Sequence, residues 1–141
     1  MREDDLEIVS ELAMLANPHA KKEKYREHVA DELKENPDLA FVAVADEKVV
    51  GYVQGDTRRP MTTIEDLAVA KNYQGKGIGN QLIRSELEAL GARSAKIVMA
   101  EVHYQNAQAI PFYYKHGFRI CGCLQDYFGI GHDAIVLKLV L

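Results

Sequence analysis

The stretch IEDLAVAKNYQGKGIG, residues 64–79, decides how this chain is read. It is a β-prone run closing in Val69, a spacer that reaches Gln74 five positions later, and a glycine turn opening a helix near Ile78. Gly75, Gly77 and Gly79 can take backbone angles closed to other residues, so the turn can present successive amides at the positive end of that helix. The expected product is an anion cradle of the size a pyrophosphate needs.

Spacing removes two phosphate motifs that share such glycines. A P-loop requires Gly, four residues, then Gly, Lys and Ser or Thr, yet Asn80 stands five positions after Gly75 and Leu82 five after Gly77. The dinucleotide fingerprint wants a third glycine three positions after Gly77, which is again Asn80, and an acid at the end of the next strand. That strand closes in Val98, Met99 and Ala100 before reaching Glu101, so the fit is poor.

Upstream, Leu6, Val9, Leu12, Ala13 and Ala16 recur at helical spacing and predict a helix over 4–16, ended by Asn17 and Pro18. Tyr25, Val29 and Leu33 mark a second over 19–35, stopped by Asn36 and Pro37. Residues 39–45 and 49–54 read as a β-hairpin about Asp46, Glu47 and Lys48. A connecting loop over 55–61, with Arg58, Arg59 and Pro60, leads into a strand over 62–69. Downstream, the helix opened by the glycine turn runs to about Leu90 and ends at Gly91. Strands over 95–102, 118–125 and 134–140 and a short helix over 106–116 complete the order. Hairpins mixed with a βαβ crossover predict one domain over 1–141 of α/β (α+β) class, a mixed sheet with helices on its faces.

With 141 residues, 48% of them apolar, the chain can bury a substantial core. Its longest apolar run, 39–45, is far short of the roughly 18 residues a membrane span needs. The opening residues are acidic where a secretory signal needs basic ones, which predicts a cytoplasmic protein with no membrane partner. The formal charge of −4 makes nucleic acid a poor partner and suits a cationic substrate better. Cys121 and Cys123, one residue apart on a strand, read as reduced structural thiols. His19, His28, His116 and His132 show no metal-ligand spacing, and no metal is expected.

A third glycine pattern does fit: Gln or Arg, two residues, Gly, one residue, Gly or Ala, matched by Gln74, Gly77 and Gly79. Here, with DLAV upstream and NAQAIPFYYKHGF at 106–118 downstream, the chain resembles the GNAT superfamily of acetyl-CoA-dependent N-acetyltransferases. The later block is similar to the family's Asn, Ala, a Tyr seven residues after the Asn, and a closing Gly-Phe. The resemblance covers nearly everything from Leu39 onward. It implies a mixed sheet of six or seven strands flanked by about four helices, with adjacent parallel strands splayed apart to hold acetyl-CoA. The family also opens with a strand before its first helix, which this sequence lacks room for, and a homodimer covering that sheet edge is one way to replace it.

Carried over by motif, the resemblance implies that Leu67 and Val69 offer backbone groups to the pantetheine and acetyl carbonyl. The amides around Gln74, Gly75, Gly77, Gly79 and Asn80 would hold the pyrophosphate, with Lys71 and Lys76 either adding charge or simply solvated. Asn106 would reach the cofactor or cap the helix that follows it. Tyr113 takes the general-acid position, favoured over Tyr114 by its spacing from Asn106 and Gly117. A phenol of pKa near 10 stays protonated at neutral pH and can donate to a departing thiolate.

Glu101 stands twelve residues before Tyr113, similar to the base-to-acid spacing of RimI-type ribosomal-protein N-terminal acetyltransferases, and DYFGIGHDAIVLKL resembles their close. Phe128 stands where that group has a second Tyr. Glu65, Asp66 and His103 are rival bases. The acceptor is a peptide N-terminus or a small cationic amine such as a polyamine or aminoglycoside, and a non-catalytic acyl-CoA-binding module is the reading from another class.

Overall fold

The computed structural model describes residues 1–57 and 61–141. A 3-10 turn at Glu3–Asp5 leads into helix α1, Leu6–Ala16, and α2 follows at Lys22–Glu35. Two strands, β1 at Ala40–Ala45 and β2 at Lys48–Asp56, form the hairpin. Asp46 and Glu47 both hold positive φ, 51° and 61°, so the turn is one residue tighter than the sequence suggests and Ala45 pairs directly with Lys48. Of the expected 55–61 loop, Gly55 and Asp56 extend β2, and residues 58–60 lie outside those described.

Then come β3, Thr62–Val69, helix α3, Ile78–Ala92, and β4, Ile97–His103. A short α4, Ala109–Lys115, and strands β5, Arg119–Leu124, and β6, Ala134–Val140, complete the fold. The sheet has six strands in the order β1-β2-β3-β4-β6-β5. Among the described residues only β3 and β4 run parallel; every other neighbouring pair is antiparallel.

Alternation along the strands gives the sheet two apolar faces. Tyr52, Ala40 and Ala68 face Leu6, Val9, Leu12 and Ala13 of α1 and Val29 and Leu33 of α2. Their chain neighbours Val53, Leu39 and Leu67 turn the other way, toward Leu82, Ile83 and Leu90 of α3. Each Val, Leu or Ile among them, taken fully from water, contributes about 1.5–3 kcal/mol. Gly55 lets α3 approach closely, since a Cβ there would lie 2.0 Å from Glu86 Oε1.

Among the described residues no strand flanks β1, so the opening strand of the family pattern has no counterpart. The Met1 ammonium instead donates to the Ala40 carbonyl at 2.9 Å. Several boundaries also differ from the sequence reading; α2 starts at Lys22 and β4 spans Ile97–His103. Helix α3 runs through Gly91, and the left-handed residue beyond its end is Ser94, at φ 64°. Residues 106–108 form a turn rather than helix, with the Ala109 amide donating to the Asn106 carbonyl at 3.0 Å. The cap position of α4 is Gln108, without a side-chain bond, so Asn106 does not cap it. No helix among the described residues is long and apolar enough to cross a membrane.

Candidate active site

Strands β3 and β4 pair only through Thr62–Val98, Thr63–Met99 and Ile64–Ala100. Beyond that point both continue, β3 to Val69 and β4 to His103, without pairing to each other. They part into an open V. A cleft of about 550 Å³ occupies the gap and the ground in front of α3 and α4.

The glycine turn forms one wall. Gly75 and Gly77 sit at φ 74° and 82°, with nothing within 4 Å of where a Cβ would be, so backbone conformation is what demands glycine there. Gly79 has a different reason, because its Cβ would stand 3.3 Å from the Phe112 ring. The first hydrogen bond of the α3 ladder runs from the Gln81 amide to the Gly77 carbonyl at 3.1 Å, so the amides of Ile78, Gly79 and Asn80 precede that ladder. They lie at the positive end of a 15-residue helix, in the cleft wall. This donor set and open space fit a pyrophosphate.

Two side chains hold the wall in place. Gln74 Nε2 donates to the Val69 carbonyl at 2.9 Å, which takes one of that carbonyl's two acceptor positions. Asn80 Oδ1 accepts from His116 Nε2 at 2.9 Å, tying the first turn of α3 to the end of α4. Lys76 lies over the Tyr73 ring, 5.3 Å from its centre, and neither Lys71 nor Lys76 lines the cleft.

Leu67, Val69, Gln74, Gly75, Gly77, Gly79, Asn80, Glu101, Asn106 and Tyr113 all line this one cleft, as do Glu65, Asp66 and His103. Tyr113 is buried, and its phenol is pushed well above the ordinary tyrosine range, first by burial and then by Asp66 and Glu101. It remains protonated at neutral pH, as an acid must. Tyr114 points elsewhere: its hydroxyl accepts from the Ile120 amide at 3.3 Å and Arg119 lies over its ring. The structure therefore separates the two tyrosines.

The carboxylates and His103 are also distinguished. Glu101 is half-buried on β4, opposite Val136 on β6. Glu65 accepts from the Thr63 hydroxyl at 2.6 Å and lies 3.8 Å from His28 Nε2. Asp66 accepts from Asn17 Nδ2 and the Tyr25 hydroxyl, each at 3.4 Å. Burial, reinforced by Glu65, pushes its carboxyl up to about 8. His103 is buried, and its Nδ1 accepts from the Gln105 amide at 3.1 Å. Its Nε2 must then carry the proton and donate to His132 Nδ1 at 2.9 Å, so neutral His103 has no spare lone pair for a substrate proton.

The sequence reading missed Asn17, Tyr25, Phe112 and the lining role of Phe128. Phe112 was findable, since it precedes Tyr113 in the matched block; Asn17 and Tyr25 come from distant helices and carry no local signal. His19 and His132, which show no metal-ligand spacing in the sequence, stand together with His103 in the structure.

Comparison with known proteins agrees with this geometry. Residues 6–118 match the family described as Acetyltransferase (GNAT) family. An uncharacterised N-acetyltransferase of Methanocaldococcus jannaschii is 34% identical over 102 residues, covering 72% of this chain and 65% of that protein. N-alpha-acetyltransferase 30 of Schizosaccharomyces pombe is 32% identical over 103 residues, 70% of this chain and 69% of the relative. The crystal structure of a ribosomal-protein-alanine N-acetyltransferase from Brucella melitensis superposes with a TM-score of 0.81 at 23% identity, covering 100% of this chain and 97% of that one. With a family match over most of its length and the splayed strands, glycine turn and buried tyrosine in place, the chain belongs to the GNAT acetyltransferase family.

Proposed function

We propose that this chain, acting as one domain, transfers an acetyl group from acetyl-CoA to the α-amino group of a peptide or protein N-terminus in a ternary complex. Tyr113 serves as general acid and Glu101 as general base. The observation that carries this reading is the parting of β3 from β4 beyond Ile64 and Ala100, which sets Glu101 and Tyr113 in the same cleft as the glycine turn.

Acetyl-CoA supplies an activated thioester whose carbonyl an amine attacks and whose sulfur leaves. The chain's own residues do the rest. Amides of residues 75–80 hold the pyrophosphate, the free edge of β3 at Leu67 aligns the pantetheine, and Asn106 lies beside it. Tyr113 gives its phenolic proton to the leaving sulfur. Glu101 takes the proton that the amine must lose, directly or through a water.

Proton cost favours an N-terminus. Deprotonating an α-amino group of pKa about 8 at pH 7 costs roughly 1.4 kcal/mol, against roughly 4.6 kcal/mol for a lysine-like amine. The curated S. pombe relative is named as an N-alpha-acetyltransferase, which points the same way. The cleft carboxyl groups of Glu65 and Glu101 favour the second reading, a small cationic amine. Thiol release from acetyl-CoA, followed with N-terminal peptides, blocked lysine peptides, polyamines and aminoglycosides, tests the proposal. Turnover is expected with free N-termini; turnover only with polyamines or aminoglycosides would establish the second reading, and binding without turnover the non-catalytic one.

A further inference from the structure

Three histidines far apart in sequence meet at His103, which lines the cleft. His19 lies in the α1–α2 connection, His103 ends β4, and His132 lies in the β5–β6 connection. One ring nitrogen from each lies within 4.8 Å of the others. The His19 ring stacks on His103 with centroids 3.9 Å apart and sits 4.9 Å from His132. We propose that His19, His103 and His132 form a binding site for a divalent transition-metal ion of the zinc type.

The donor set suits that chemistry. Imidazole nitrogen is a preferred ligand of such ions, and three protein nitrogens with a water in the fourth position is a common zinc arrangement. A tetrahedral ion with bonds of about 2.0–2.1 Å needs nitrogens about 3.3 Å apart. The His103–His132 pair stands at 2.9 Å and needs to open by only a few tenths of an ångström. His19 must move further, and it is an exposed residue on a connection.

The protons balance without release. The hydrogen now on His103 Nε2, shared toward His132 Nδ1, moves to His103 Nδ1, and Nε2 turns its lone pair to the metal. The Gln105 amide then gives up its contact with Nδ1 and turns to water, which the exposed position of Gln105 allows. The bound ion would pin the α1–α2 and β5–β6 connections to β4. This inference is independent of the acceptor assigned above.

The test uses the full chain without a histidine tag, titrated with Co²⁺ by visible spectroscopy and with Zn²⁺ by calorimetry. One ion per chain is expected, with the intense d–d bands of tetrahedral cobalt. His19→Ala and His132→Ala should each weaken binding by more than about 100-fold, beyond the usual effect of losing an outer partner. Since His19 is exposed, its variant tests the site without risk to the core. The Cys121→Ser, Cys123→Ser double variant should bind as the parent does. No binding, equal binding by the histidine variants, or loss of binding with the cysteines would overturn the proposal.

Discussion

Gln74 Nε2 donates to the Val69 carbonyl across 2.9 Å, joining the start of the glycine turn to the last residue of β3. The bond explains why a long amide side chain stands at the head of the turn. It fixes the distance between the free edge of β3 and the amides of the glycine turn.

Gln74→Ala removes a hydrogen bond with a net contribution of about 1 kcal/mol. Affinity for acetyl-CoA should fall about fivefold, with turnover at saturating cofactor close to the parent value. Calorimetry with acetyl-CoA checks this, and unchanged affinity would detach Gln74 from the cradle.

Gly75 has open space around its missing Cβ and a φ of 74°, which Asn and Asp tolerate better than other non-glycine residues. The pair Gly75→Asn and Gly75→Asp therefore differs mainly in charge. The aspartate should weaken acetyl-CoA binding about tenfold more than the asparagine, a difference of about 1.4 kcal/mol. Equal binding by the two would place the pyrophosphate elsewhere.

Tyr113→Phe should leave acetyl-CoA binding intact and lower turnover by roughly 10²- to 10⁴-fold, the range for a lost acid. Tyr114→Phe should stay near the parent rate, because its hydroxyl serves the Ile120 amide instead of the cleft. The reverse pattern would move the acid.

What the sequence disclosed was whatever backbone chemistry makes local. Gly75 and Gly77 were readable because a positive φ restricts residue type, and Tyr113 because its interval from Asn106 sets its place on the short helix. Ser94 was missed as the residue beyond α3 because a left-handed serine leaves no pattern, whereas Gly91 does. Tyr25 and Asn17 on Asp66, and His19 on His103, depend on which helix packs over which strand. Only the folded chain reveals such meetings.

Glu86 gives a stability prediction. It is buried on α3 with neither carboxyl oxygen hydrogen-bonded among the described residues, and burial pushes its pKa up from 4.5 to about 8. Its folded value lies above its unfolded value, so the native state binds the proton more tightly. That contribution is complete below about pH 4.5 and is lost as pH rises through about 8. Asp66 acts with the same sign over a similar window. Unfolding in urea should show stability falling across this range, with a slope approaching about 1.4 kcal/mol per pH unit for each group. Glu86→Gln should remove one share and gain relative to the parent toward pH 9; a profile identical to the parent's would mean Glu86 ionises normally.

The central claim concerns which amine receives the acetyl group, and one peptide decides it. A peptide carrying a free α-amino group and an internal lysine is incubated with the full chain and acetyl-CoA, and the position of the acetyl group is mapped by fragmentation mass spectrometry. The account predicts acetylation at the α-amine, lost in Tyr113→Phe. Acetyl on the lysine alone, or none on a protein that still binds acetyl-CoA, would contradict it.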